Sequence, residues 1–191
     1  MALVEPVAFL QIKIDDEVIG FLDIKLNINV TPKTVTNFLK LCSGEVEYKY
    51  YHDSYHCYKN SIFHRITRSF CQGGDYEFGT AIGGHAPEGN FKNENYDLKH
   101  VSRGVVAMAN RDPKKVKSQF YITFRVCDWL DGKHVVFGHV TEESMGVLKR
   151  IEEAASDDGE PIKNVVVVGC GEVINGYRVF AANEYTRGHG R

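Results

Sequence analysis

The residues that could do chemistry by type and spacing are few in this sequence. His52, His56 and Cys57 lie close together in the segment 45–60, and imidazole and thiolate groups are common zinc ligands. Two His and one Cys without a nearby fourth ligand would make a poor structural zinc site. A solvated polar loop is the simpler interpretation, so neither a metal ion nor any other cofactor is expected.

Several sequence motifs that mark particular chemistries are missing. The chain has no G-x-x-x-x-G-K-[ST] loop and no G-x-G-x-x-G, so nothing indicates nucleotide binding. It also lacks the G-x-S-x-G turn of α/β-hydrolases and the H-E-x-x-H helix of metalloproteases. Nucleotide-dependent, serine-hydrolase and metalloprotease activities are therefore not expected.

The cysteines indicate a reducing compartment. Their number is odd and their spacing fits no disulfide framework. The first residues, MALVEPVAFLQIKI, alternate apolar with polar side chains, as a strand does, and do not resemble a signal peptide. A cytoplasmic protein is expected. The five positions are Cys42, Cys57, Cys71, Cys127 and Cys170.

Length and charge exclude other classes. The 191 residues favour one domain with a sizeable core, and 43% hydrophobic with 25% charged residues is ordinary for a globular protein. A net charge of −2 gives no overall attraction to nucleic acid or to an anionic membrane. No run reaches the ~18 apolar residues of a membrane span. Neither kind of partner is expected.

The hydrophobic pattern predicts strands that would position any site. Apolar and polar residues alternate over 7–14 and, more strictly, over 22–30. Asp131-Gly132 predicts a type I′ hairpin turn ahead of the next strand. The shorter strands are predicted at 62–66, 70–73, 105–108, 120–124, 135–140 and 165–168.

Two helices complete the predicted set of elements. Thr31 is a candidate N-cap before Pro32, the apolar stripe from Val35 has helical spacing, and Ser43-Gly44 is a plausible end. A second helix is predicted over 142–155. About eight strands and two helices favour a mainly β fold, a closed eight-stranded antiparallel barrel capped by two α-helices. Residues 1–174 would form this domain, and residues 175–191 a C-terminal extension.

Six short motifs, in one order, resemble the cyclophilin family. FHRITRSFCQGGD at 63–75 is similar to the active-site signature of cyclophilin-type peptidyl-prolyl cis-trans isomerases. The chain is identified as a member of this family over roughly residues 7–174. The resemblance implies a cyclophilin-like barrel with a proline-accepting groove on its outer face. The other motifs are NENYDLKH, VAMAN, SQFYI, WLDGKHVVFGHV and GCGEV.

The resemblance also implies a set of site residues. The catalytic group would be Arg65, Gln72 and Asn110, with Arg65 matching the catalytic arginine. Ala109 and Gln119, together with Gln72 and Asn110, match residues that hold the peptide backbone. The implied proline pocket and its surroundings comprise Phe70, Phe120, Tyr121, Leu130 and His134, and Trp129 matches the tryptophan associated with cyclosporin A binding.

Three departures from the family pattern are expected to affect the site. The chain between Arg65 and Gln72 is one residue shorter than usual, with Phe70 standing before Cys71 where Phe-Met is expected. Tyr121 stands where phenylalanine is usual and brings a hydroxyl near an apolar pocket. The basic segment RDPKKVK after Asn110 replaces a Gly- and Asn-rich loop and should alter the rim of the groove.

Proline-containing peptides and proteins are the expected partners, cyclosporin A the expected inhibitor, and a monomer the expected state. Three alternatives remain open. The chain could bind proline peptides with weak or no isomerase activity, or it could carry a ligand inside the barrel. Arg65 could also be an ordinary surface residue paired with an acidic neighbour.

A redox role is a further expectation from the resemblance. Some cyclophilins combine a longer loop after the first helix with a cysteine pair near Cys42 and Cys170, and in them the pair can act as a redox switch. Both features are present in this sequence. The alternative is that Cys42 belongs to the apolar stripe of the helix and Cys170 is a buried strand residue.

Overall fold

Nine strands and two α-helices make up the computed structural model, which describes residues 3–44 and 56–181. The helices are α1 (Pro32–Ser43) and α2 (Met145–Glu152), so the predicted mainly β class with two helices is confirmed. His52, one of the three residues considered as metal ligands, and the rest of the segment 45–55 lie outside the described residues. The strands are β1 (Val7–Ile14), β2 (Glu17–Leu26), β3 (Arg65–Ile66), β4 (Phe70–Gly73), β5 (Val105–Met108), β6 (Phe120–Thr123), β7 (Val136–Val140), β8 (Val165–Ile174) and β9 (Tyr177–Phe180).

All nine strands belong to one antiparallel sheet in the order β3-β4-β6-β5-β7-β2-β1-β8-β9. The predicted count of eight strands is therefore wrong, and this order does not close on itself. The chain just before β3 nevertheless reaches β8. Ile62 forms an isolated bridge with Val166, and the Phe63 N–H donates to the Val165 carbonyl at 2.9 Å. These bonds come from residues before β3, and β3 itself does not pair with β8 in the described chain.

The ninth strand lies in the segment that sequence analysis assigned to a C-terminal extension. Asn175 and Gly176 both have positive φ, 52° and 80°, as a type I′ turn requires, and they join β8 to β9. The ring of Phe180 packs 4.8 Å from that of Phe9.

The prediction of a type I′ turn at Asp131-Gly132 is wrong. Asp131 has a φ of −61°, whereas a type I′ turn requires a positive φ at this position.

Helix α1 begins and ends where the sequence predicts, but its cap differs. Thr31 occupies the N-cap position without a capping bond from its side chain. The carboxylate of Glu94 instead accepts hydrogen bonds from the Lys33 and Thr34 N–H groups, each at 2.9 Å. Gly44 ends the helix in the left-handed conformation, with φ 66°. Helix α2 is shorter than predicted because its first turn is a 3-10 turn at Glu142–Ser144.

The two faces of the sheet have different roles. The inner face is a filled apolar core in which Leu22, Ile24 and Leu26 are fully buried. Large side chains in this position leave little room for a ligand, which argues against the carrier hypothesis. A smaller apolar cluster on the other face contains Val105, Ala107, Tyr121 and Val136. In residues 3–44 and 56–181, no helix is long and apolar enough to cross a membrane.

Candidate active site

One row of paired residues crosses four neighbouring strands. Arg65 on β3 is opposite Gln72 on β4, Gln72 is opposite Tyr121 on β6, and Tyr121 is opposite Ala107 on β5. Directly opposite residues project from the same face of a sheet. The sheet register therefore brings together side chains that are more than fifty positions apart in sequence.

A surface depression of about 620 Å³ lies over this row. Nine of the eleven residues that sequence analysis assigned to catalysis or substrate binding line it; Phe120 and Trp129 do not. The nine are Arg65, Phe70, Gln72, Ala109, Asn110, Gln119, Tyr121, Leu130 and His134.

Arg65 is exposed at one side of the depression. Its guanidinium carbon lies 5.4 Å from the centroid of the Phe70 ring, a cation–π distance. Across residues 3–44 and 56–181, no acidic side chain forms an ion pair with Arg65 and none accepts a hydrogen bond from it. The alternative interpretation, a surface arginine held by an acidic neighbour, therefore has no partner in the described part of the chain. The guanidinium donors remain available to a ligand.

Two side-chain amides at the depression are fixed by hydrogen bonds. Gln72 Nε2 donates to Gln119 Oε1 at 3.0 Å, and Gln119 Nε2 donates to the Gly83 carbonyl at 3.0 Å. The Ala109 N–H donates to the Gln119 carbonyl at 2.9 Å, which joins the two proposed peptide-holding segments. The amides are thereby oriented before any ligand binds.

Asn110 is held in a different way. Its Nδ2 group donates to Asn93 Oδ1 at 3.0 Å and to the Asp112 carbonyl at 2.8 Å. Both amide hydrogens are thus used, while Asn110 Oδ1 is buried and has no hydrogen-bond partner in the described chain. The Asn110 amide is therefore fixed by its two donated bonds, with its oxygen shielded from solvent.

Aromatic and apolar side chains form the floor of the depression. Tyr121 is 3% exposed, and its ring lies 5.4 Å from that of Phe70 and 5.5 Å from that of His134. His134 Nδ1 donates to the Met108 carbonyl at 3.1 Å, and burial lowers the pKa of His134, so the ring is neutral at pH 7. With Leu130 beside them, these groups offer an apolar surface to a ring of proline size.

The Tyr121 hydroxyl does not face an apolar environment unpaired. It lies 2.7 Å from His100 Nε2, and His100 Nδ1 lies 2.7 Å from Asp131 Oδ1. Burial alone would raise the pKa of Asp131, but hydrogen bonds from the His100 backbone N–H and ring lower it below its usual value. The hydroxyl that the sequence placed near the pocket is therefore accommodated in a chain of hydrogen bonds behind it.

Phe120 does not line the depression. It is 1% exposed and packs in the core, with ring centroids 5.3 Å from Phe38 and 5.9 Å from Phe63. Successive residues of a strand point to opposite faces, so Phe120 and Tyr121 cannot both face the same pocket.

Trp129 is 47% exposed on a 3-10 turn, with the Arg125 guanidinium 5.8 Å from its ring. It lies outside the residues that line the depression.

The shortened turn after Arg65 is a tight connection between β3 and β4. The Thr67 N–H donates to the Phe70 carbonyl at 2.9 Å, and Thr67 Oγ1 accepts from the Phe70 N–H at 3.2 Å. Phe70 consequently faces the depression, while Cys71 faces the core and is fully buried. Among the residues that line the depression, Phe70 is the one from this turn with an aromatic ring, and none is a methionine.

A loop at the rim was missed by the sequence analysis. Residues 80–83 line the depression, and the buried carboxylate of Asp75 holds their loop by accepting bonds from the Phe78, Thr80 and Gly83 N–H groups at 3.0 Å each. The available signal was an Asp followed by a Gly-rich stretch, a pattern typical of a side-chain-stabilised loop.

The RDPKKVK segment also reaches the rim, through Arg111, Asp112, Lys115 and Lys117.

The structure places a third cysteine beside the predicted redox pair. None of the five cysteines forms a disulfide in the described residues, and Cys42 and Cys170 are both buried. The thiol 3.5 Å from Cys170 Sγ is that of Cys57. Burial, followed by the nearby Cys57, raises the pKa of Cys42, so that thiol is a poor nucleophile at neutral pH.

Comparison with known proteins agrees with the geometry of the site. A model of the family "Cyclophilin type peptidyl-prolyl cis-trans isomerase/CLD" matches residues 9–172. The chain is 41% identical over 174 residues to "Peptidyl-prolyl cis-trans isomerase cyp11" of Rhizopus delemar. That alignment covers 90% of this chain and 52% of the relative, so the chain spans about half the length of the relative.

Proposed function

The chain belongs to the cyclophilin-type peptidyl-prolyl cis-trans isomerase family, and we propose that it accelerates rotation about X–Pro peptide bonds in protein substrates. The observation that carries the proposal is the depression itself, which combines an exposed arginine without an ion-pair partner among residues 3–44 and 56–181, pre-oriented amides and an apolar floor. Assistance to protein folding would follow, because uncatalysed X–Pro isomerisation is slow enough to limit folding.

The reaction needs no covalent chemistry. The barrier to rotation is ~18–20 kcal/mol and comes from the partial double-bond character of the C–N bond. No bond between heavy atoms breaks, so neither a nucleophile, an acid–base pair, a metal ion nor any other cofactor is required. A rate gain of about 10⁵ corresponds to ~7 kcal/mol of preferential stabilisation of the twisted amide.

Arg65 is the proposed source of much of that preference. As the amide twists, the lone pair localises on the proline nitrogen, which becomes a hydrogen-bond acceptor only in the transition state. A guanidinium is permanently charged and carries several donors in a rigid plane. Its position over the Phe70 ring places the donors beside the apolar floor that would hold the proline ring.

The amides would hold one side of the bond still while the other side turns. Gln72 and Gln119 are already hydrogen-bonded to each other, and the Asn110 amide is fixed by its bonds to Asn93 and Asp112. Ala109 contributes backbone and a small side chain between them. Pre-orientation reduces the entropy lost on binding and therefore favours catalysis.

Several further properties are proposed with this activity. Proline-containing peptides and proteins would be the substrates, and cyclosporin A the inhibitor, acting at the same groove with Trp129 at its edge. The protein would act as a monomer in the cytoplasm, where the five cysteines would remain reduced.

Replacement of Arg65 tests the proposal. We expect Arg65→Ala to lower kcat/KM for a proline peptide at least about tenfold, because it removes a donor used only in the transition state. Thermal stability should barely change, since Arg65 is exposed and unpaired in the described chain. Arg68→Ala is a matched control from the same turn; Arg68 pairs with Asp157 at 2.6 Å. Exchange spectroscopy by NMR measures the isomerisation rate without a coupling protease.

The alternative is a module that binds proline peptides without turning them over. This alternative predicts two results. An NMR titration should show that the wild-type chain binds the peptide, and exchange spectroscopy should show that the isomerisation rate stays at its uncatalysed value. An Arg65→Ala activity within about twofold of wild type would instead remove Arg65 from the mechanism.

A further inference from the structure

The rim of the depression is strongly basic although the chain as a whole is not. Four cationic side chains, from Arg65, Arg111, Lys115 and Lys117, line it together with one carboxylate, that of Asp112. Four positive charges minus one negative charge give +3 at the depression, whereas the whole chain carries −2. We call Arg111, Lys115 and Lys117 the basic rim.

The single carboxylate does not neutralise this charge. Asp112 Oδ1 accepts a hydrogen bond from the Lys114 N–H at 2.9 Å, and Lys115 Nζ lies 4.0 Å from Asp112 Oδ2. The carboxylate is therefore occupied within its own turn. Within residues 3–44 and 56–181, Arg111 and Lys117 form no ion pair. Their charges are available to a ligand.

The basic rim is adjacent to the groups that would hold the peptide. Arg111 directly follows Asn110, which lines the depression, and Lys117 is two residues before Gln119. The Ala109 N–H to Gln119 carbonyl bond keeps these two segments side by side. A peptide backbone held at Asn110 and Gln119 would therefore place the residues next to its proline beside the basic rim.

We propose that the basic rim selects X–Pro segments flanked by Asp or Glu and disfavours those flanked by Lys or Arg. The inference rests on the proposed function and names its substrate class. A cleft lined by one sign of charge concentrates ligands of the opposite sign and raises their association rate. Each exposed charge contributes little alone, but several act together on one flanking residue. The preference is electrostatic, so it weakens as salt is added.

The experiment compares three proline peptides of equal length whose flanking residues are Glu, Ala or Lys. NMR measures both the catalysed exchange rate and the dissociation constant of each peptide. At about 20 mM salt we expect kcat/KM to fall in the order Glu, Ala, Lys, with about a fivefold span or more. At about 0.5 M salt the span should shrink to about twofold or less.

Charge variants locate the effect. In a variant carrying Lys115→Glu and Lys117→Glu, the order of the three peptides should reverse, while Lys115→Gln with Lys117→Gln should remove most of the preference. Lys149→Glu on α2 reverses a single charge away from the depression and should leave the order as in wild type. Circular dichroism and the melting temperature show whether each variant is folded.

The outcomes separate this inference from the function on which it rests. Equal kcat/KM for all three peptides at low salt, with catalysis intact, overturns the charge preference and leaves the isomerase proposal standing. A preference that persists at high salt or survives in the charge-reversed variant also overturns it. If no peptide is isomerised, the proposed activity fails, and the order of the dissociation constants still decides whether the basic rim selects acidic flanks.

Discussion

The Tyr121 hydroxyl lies 2.7 Å from His100 Nε2, so the floor of the depression is tied to a histidine behind it. Asp131 Oδ1 accepts from both the backbone N–H of His100, at 2.9 Å, and its Nδ1. In the tautomer that carries its proton on Nδ1 and donates it to Asp131, the Nε2 atom is an acceptor. In that tautomer Tyr121 donates its hydroxyl hydrogen to His100 and away from the depression.

The first prediction concerns this hydroxyl. Tyr121→Phe should lower the free energy of unfolding by about 1–2 kcal/mol, because it leaves buried His100 Nε2 without a partner. The aromatic ring stays in place, so kcat/KM should remain within about threefold of wild type. Urea denaturation and the NMR exchange assay measure the two effects. Tyr177→Phe, at an exposed residue of β9, is the control and should change neither.

A second prediction concerns the loop held by Asp75. Burial alone would raise the pKa of this carboxyl, but hydrogen bonds from the Phe78, Thr80 and Gly83 N–H groups lower it. The carboxylate therefore stabilises the folded protein above about pH 4, the value for an unfolded Asp, and this contribution is lost as the pH falls through the lower folded-state pKa.

Asp75→Asn should accordingly lower the free energy of unfolding by about 3 kcal/mol at pH 7, the order expected for hydrogen bonds to a charged acceptor. The difference from wild type should shrink as the pH drops below about 4. Urea denaturation at a series of pH values measures it. Asp128→Asn, at an exposed position, is the control. A difference that stays constant from neutral to acid pH would show that the charge of Asp75 does not hold the loop.

A third prediction uses the single tryptophan. Trp129 is 47% exposed, and Leu130 next to it lines the depression. Cyclosporin A bound in the groove should cover this ring and change its fluorescence. The altered turn and basic rim should give weaker affinity than is usual for the family. Trp129→Phe shows how much signal comes from tyrosines. An unchanged spectrum at a drug concentration that blocks isomerisation would place Trp129 outside the binding surface.

A fourth prediction concerns the cysteines. The proposed redox pair was Cys42 and Cys170, but the contact of 3.5 Å joins Cys57 Sγ to Cys170 Sγ. Hydrogen peroxide can take two electrons and two protons from these thiols, forming a disulfide and two water molecules. We expect peptide mapping by mass spectrometry to find Cys57 linked to Cys170, with lower isomerase activity that a thiol reductant restores.

The Cys57→Ser variant should lose this disulfide and its effect on activity, whereas Cys42→Ser should retain both. A disulfide that persists without Cys57 would return the assignment to the original pair. Oxidation sensitivity in the Cys57→Ser variant without any disulfide would point to Cys71 beside the proposed catalytic turn.

Local pattern was sufficient for the elements that bury one face. The alternation over 7–14 and the helical stripe from Val35 correspond to β1 and α1. Pairings between strands far apart in sequence were harder to predict from the local pattern. The local pattern does not indicate that the chain before β3 contacts β8 only through isolated bonds. The Asn175-Gly176 pair is a strong hairpin signal, but the sequence analysis did not use it.

The site was predicted from motif resemblance, and its errors have identifiable physical causes. Phe120 was placed in the pocket although it neighbours Tyr121 on one strand, where alternation permits only one of them to face outward. The loop at 80–83 was missed because its position depends on the buried Asp75 carboxylate, a tertiary interaction. The hydrogen-bond chain from Tyr121 to Asp131 joins residues far apart in sequence, which no local pattern reveals.

Strand β6 faces two environments at once, with Phe120 in the core and Tyr121 at the depression. The floor of the depression is therefore backed by tightly packed core residues, and changes to it put folding at risk. The rim side chains of Arg111, Lys115 and Lys117 project from a loop in which Val116 is fully buried in the core. New substrate preferences can therefore arise at these three positions alone, and a designer seeking altered specificity should randomise them and leave Val116 and β6 untouched.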